Sequence, residues 1–74
     1  MSARLDVTLS AFEAIVADWA DEDSAGFTAD RIREAVTALV ASGHTREALA
    51  DVAAAEAAPF GYAGEARELV MGVP

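Results

Sequence analysis

Residues 27–57 read FTADRIREAVTALVASGHTREALADVAAAEA, and this stretch decides the fold. It predicts two helices meeting at a tight corner, Ser42-Gly43-His44-Thr45. Thr28 is a suitable N-cap for the first, with Phe27 placed before it to staple onto Ile32. Ile32, Val36, Leu39 and Val40 then recur at helical spacing and line one apolar face. Gly43 marks the end, because the residue after a helix often takes a positive φ that glycine adopts without steric cost. Thr45 restarts the chain as an N-cap, and Glu47 places a carboxylate in the first turn, where the helix dipole favours it. Leu49, Val52 and Ala53 carry the second apolar face, and Pro59 bounds it.

Upstream, Ser10-Ala11-Phe12-Glu13 has the form of a capping box and predicts a helix from about Ser10 to Ala20. Residues 4–9 are open to two readings. Leu5, Val7 and Leu9 alternate as in a strand, whereas Leu5, Leu9, Phe12, Val16 and Trp19 step by four, three, four and three along a helical seam. A lone strand has no partner edge here, so an extended or helical N-terminal arm is expected. Asp21 to Gly26 forms a loop. Downstream, Ala58 to Tyr62 is a turn carrying two aromatics, and Ala63 to Met71 is a short last helix with Leu69 and Val70 inward and Gly72 as its stop. The alanines between Ala53 and Ala58 either admit a close neighbouring helix or fill exposed helical positions. The expected architecture is all-α, a single small domain built as a three- to four-helix bundle.

At 74 residues without cysteine, the chain is near the lower limit for a self-sufficient core and has no disulfide to staple it. That points toward a homo-oligomer or a subunit of a complex. Thirteen acidic residues against five arginines give a net charge of −8, a field that repels phosphate. Nucleic acid and anionic membranes are therefore disfavoured as partners, and a basic protein is favoured. No apolar run is long enough to cross a bilayer, and the first residues lack the basic start and apolar core of a secretory signal, so a cytoplasmic location is expected.

The motifs that could carry chemistry are incomplete. Asp21-Glu22-Asp23-Ser24-Ala25-Gly26 resembles the first half of a calcium loop, but Ala25 stands where an oxygen ligand belongs and Ile32 where the bidentate glutamate belongs. Asp23-Ser24 shares its dipeptide with the prosthetic-group site of acyl carrier proteins. There the pair is followed by leucine at the start of the second helix, whereas Ala25-Gly26 follow it here. His44 is the only histidine, and no serine sits in a nucleophile context. No catalytic residue, metal or cofactor is expected. A helix, glycine corner and helix also permit comparison with helix-turn-helix DNA readers, but the second helix would offer Arg46 against Glu47 and Asp51.

The expected function is a non-catalytic, acidic helical module that binds a protein partner or a second copy through an apolar helix face. Leu9, Phe12, Val16 and Trp19 are the candidate contacts on the first helix, with Phe60 and Tyr62 as aromatic contacts in the last turn. Asp18, Asp21, Glu22 and Asp23 form an acidic surface that would steer a basic partner. If the first-helix seam is consumed by the core, the acidic cluster and the Phe60-Tyr62 turn become the better site. Two alternatives stand beside this. One is an acidic mimic of nucleic acid, weakened by Arg31, Arg33, Arg46 and Arg67 among its carboxylates; the other is a minor structural component of a larger assembly.

Overall fold

A computed structural model of the protein describes residues 8–21 and 27–74. The order of elements is α1 (Leu9–Asp21), α2 (Phe27–Ala41), α3 (Arg46–Ala57), a short 3-10 turn (Ala58–Phe60) and α4 (Ala63–Met71). No strand occurs among the described residues, and the four helices form a small all-α bundle. The N-terminal arm lies outside the described residues.

Helix α1 starts earlier than the capping box at Ser10 predicts. Thr8 is the cap: its Oγ1 accepts from the Ala11 backbone at 3.0 Å, and its carbonyl accepts from Phe12 at 3.0 Å. Both residues suit the role chemically, but a start at Leu9 brings that side chain onto the helix, where it packs against the core margin. A similar shift applies to α2. It begins at Phe27, so Thr28 lies in its first turn, where it is buried. The residue before the helix is Gly26, outside the described residues, as is the side chain of Phe27 and with it the expected staple.

The corner between α2 and α3 forms as its sequence predicts. His44 N–H donates to the Leu39 carbonyl and Gly43 N–H to that of Val40, both at 3.0 Å, with Gly43 at φ +112°. This crossed pair is a Schellman stop. Thr45 then caps α3, its Oγ1 accepting from Ala48 N–H at 3.1 Å. A second Schellman stop closes the 3-10 turn: Tyr62 N–H reaches the Ala57 carbonyl at 3.1 Å and Gly61 N–H reaches that of Ala58 at 3.0 Å, with Gly61 at φ +84°.

Helix α3 is the centre of the packing, with its most extensive contact to α4 and a further one to α1. Its buried face is almost all alanine: Ala50, Ala53, Ala54 and Ala57 accompany Leu49. Small side chains let the neighbouring helices come close, so these alanines admit neighbours while Ala55 and Ala58 fill exposed positions. Phe12, Val16, Ile32, Val36, Leu39 and Val70 supply the bulk of the core. Val40, expected on that face, is 40% exposed. It lies one residue beyond Leu39, about 100° further around the helix, and in the last turn. Val52 and Leu69 sit at the core margin.

Candidate interaction site

The first-helix seam is consumed by the core. Phe12 and Val16 are fully buried and Trp19 is 4% exposed. These side chains, expected as partner contacts, pack within this chain, where α1 lays this face on α2 and α3. Leu9, the fourth member, is half-buried and also packs against the core. A domain this small has few bulky side chains, and a buried face of α3 that is almost all alanine leaves room beside it for large ones from α1.

The aromatic turn is differently placed. Phe60 is 44% exposed at the end of the 3-10 turn, whereas Tyr62 is half-buried and rests against Trp19, ring centroids 5.9 Å apart at 60°. An edge-to-face pair of this kind is favoured by the ring quadrupoles. It also joins two features that are far apart in sequence, since Trp19 lies in the last turn of α1 between Asp18 and Asp21. Asp18 and Asp21 are both exposed, and the Trp19–Tyr62 contact ties the acidic end of α1 to the turn that carries Phe60. Glu22 and Asp23 lie outside the described residues.

The turn that presents Phe60 is held on both sides. The Ala57 carbonyl accepts the Tyr62 N–H in the Schellman stop, Pro59 restricts the backbone of the 3-10 turn, and Tyr62 is pinned by Trp19. A side chain presented from a fixed backbone loses little freedom when it is covered. The Trp19 Nε1 proton is buried with no hydrogen-bond partner among the described residues.

A second feature is not anticipated by the sequence. Ala14, Ile15 and Asp18 on α1 face Thr28 and Arg31 on α2 across a shallow groove open to solvent. The available signal is the spacing of Ala11, Ala14 and Ile15, which lays an apolar stripe along the flank of α1 beside the Phe12 seam. Its pairing with Arg31 depends on how two helices lie together. Among the described residues, no three His, Cys, Asp or Glu side chains gather as a metal site, and no helix is long and apolar enough to cross a membrane.

Two charged residues of α3 are engaged within the chain. Arg46 donates to the Val73 carbonyl, and Arg67 of α4 pairs with Asp51 at 2.7 Å. On α2, Arg33 pairs with Asp30 at 2.5 Å. The cation that a helix-turn-helix reading would aim at DNA is thus turned toward the end of α4. Comparison with protein-family models, with curated proteins and with solved structures returns no match for this chain.

Proposed function

We propose that this protein is a non-catalytic interaction module that binds a basic, amphipathic segment of a protein partner at the end of the bundle formed by the Phe60 turn and the acidic terminus of α1. The observation that carries the reading is the Trp19–Tyr62 contact, which ties the backbone-constrained turn bearing the exposed Phe60 to the last turn of α1, where Asp18 and Asp21 flank Trp19 in sequence. An apolar side chain fixed at the centre of a patch with charge around it is the arrangement in which a few residues dominate affinity, the charge mainly raising the rate of encounter. The acidic-mimic reading gains less support, because Asp30 and Asp51 are each offset by an arginine.

The test is a titration followed by heteronuclear NMR, using a synthetic helix-forming peptide with leucines on one face and arginines on the other. Binding should perturb Phe60, Tyr62, Asp18 and Asp21 together, and Phe60→Ala should weaken it about tenfold, the scale of an interface hot spot. Affinity should fall only modestly as salt rises, since apolar contact is not screened. Perturbations confined to other faces, or affinity that Phe60→Ala leaves unchanged, would remove the site. A steep salt dependence would transfer support to the charge-mimic reading.

A further inference from the structure

Trp19 is buried, and its indole brings one polar group into the core. That Nε1–H can only donate, and it has no acceptor among the described residues. Nearly all buried donors in folded proteins are paired, so an orphan calls for a reason. A phenylalanine at position 19 would fill much of the same space and keep a ring against Tyr62 without burying a donor. What tryptophan adds here is the N–H. The ring in contact with the indole belongs to Tyr62, which is half-buried and so touches both Trp19 and solvent. Its place in the turn is set by backbone groups, the bond from its N–H to the Ala57 carbonyl and the positive φ of Gly61, while its side chain caps nothing. Rotation about χ1 therefore moves the ring off Trp19 and leaves the backbone that presents Phe60 in place.

We propose that Trp19 is a latent contact of the partner site: as a helical segment docks, the Tyr62 ring turns aside and the indole N–H donates to a main-chain carbonyl oxygen of that segment. The inference rests on the partner-binding reading and deepens it, because it fixes which part of the segment is held. The last four carbonyls of a helix have no partner within it, so the acceptor lies in the segment's last turn. Arginines are favoured in that turn by the helix dipole, and Asp18 and Asp21, on either side of Trp19 in sequence, can accept from them. The carboxylates only accept, so they leave the carbonyls of the segment for the indole. Docking excludes water from the new bond and satisfies a donor that the free chain leaves unpaired, which offsets the lost ring contact.

The chain has one tryptophan, so its indole Nε1–H gives a single resonance in the nitrogen-labelled protein. The free chain should show this proton exchanging slowly and without the downfield shift of a hydrogen bond. Titration with the peptide of leucines and arginines should move it downfield and produce Overhauser contacts to the last turn of the peptide. Trp19→Phe should weaken binding by about five- to tenfold, the scale of one hydrogen bond, while the Phe60 resonances still respond. Circular dichroism establishes that this variant is folded, and the wild-type indole resonance decides the matter without it. An indole proton already hydrogen-bonded in the free chain, one that stays unmoved while Phe60 responds, or a Trp19→Phe chain that binds as the wild type does would each overturn the inference and leave the Phe60 site standing. A peptide that perturbs neither Phe60 nor the indole would overturn both.

Discussion

The guanidinium of Arg46, at the first position of α3, donates to the main-chain carbonyl of Val73, beyond the end of α4. A cation at a helix N-terminus opposes the helix dipole, so on local grounds this residue is misplaced. The contact supplies the reason. It fastens the end of the chain across the start of α3, with Val73 tucked into the core.

Removal of that tie should loosen the end of α4 before anything else. Arg46→Ala is expected to cost about 1 kcal/mol, the net worth of one hydrogen bond in a partly exposed setting. Amide exchange should accelerate from Leu69 to Val73 and stay unchanged in α1. Equal acceleration throughout the bundle would mean that the tie contributes to global stability alone.

The Trp19–Tyr62 contact gives a direct optical test, since Trp19 is the only tryptophan. Tyr62→Ala should destabilise the bundle by about 2–4 kcal/mol, as for other large-to-small changes at a packed aromatic, and should shift the tryptophan emission to the red. Tyr62→Phe keeps the ring edge against the indole and should lie within about 0.5 kcal/mol of the parent. Urea unfolding followed by fluorescence measures all three. Trp19→Phe is a related case: it leaves a small void but also deletes the buried Nε1 proton that has no partner among the described residues, whose burial costs about 1–3 kcal/mol. The net loss should be under about 1.5 kcal/mol, well below that of Phe12→Ala, which deletes a fully buried ring without relieving any polar group.

The helix caps separate two readings of one stretch. Thr8→Ala should cost about 1 kcal/mol, because Thr8 Oγ1 accepts from Ala11, whereas Ser10→Ala should be nearly neutral. Thr45→Ala should match the loss at Thr8. Thermal unfolding of the three variants under one condition decides it; a larger loss at Ser10 than at Thr8 would restore the capping-box start.

These cases show which parts of the structure are legible in the sequence. The Gly43–Thr45 corner is, because its stop and its cap are each determined by residues within one turn. The start of α1 is not, because Thr8 and Ser10 are both competent caps, and the choice rests on whether Leu9 reaches the core. Phe60 and Tyr62 stand out as aromatics in a turn, but the sequence does not distinguish them. Only the position of Trp19, 43 residues before Tyr62 in the chain, makes one a packed side chain and the other an exposed one. The Asp18–Arg31 groove is illegible for the same reason: it depends on the relative placement of two helices, and local periodicity describes each helix separately.

Two glycines make opposite predictions for the same substitution. At Gly43 the backbone is held at φ +112°, and although a Cβ there meets nothing within 4 Å, the conformation itself is strained for any L side chain. Gly43→Ala should therefore cost about 1–2 kcal/mol with no steric clash to relieve. Gly64 lies in the first turn of α4, and a Cβ added there likewise meets nothing within 4 Å. Its φ is not in the positive range, so alanine restricts the unfolded chain without straining the folded one and should stabilise by about 0.5–1 kcal/mol. Because neither substitution touches a neighbour, the two measure backbone conformation alone. Denaturant midpoints that move in opposite directions, with unchanged slopes, are the expected result. A stabilising Gly43→Ala would show that the α2–α3 corner takes a different turn from the Schellman stop described, and a destabilising Gly64→Ala would show that α4 does not begin as early as Ala63.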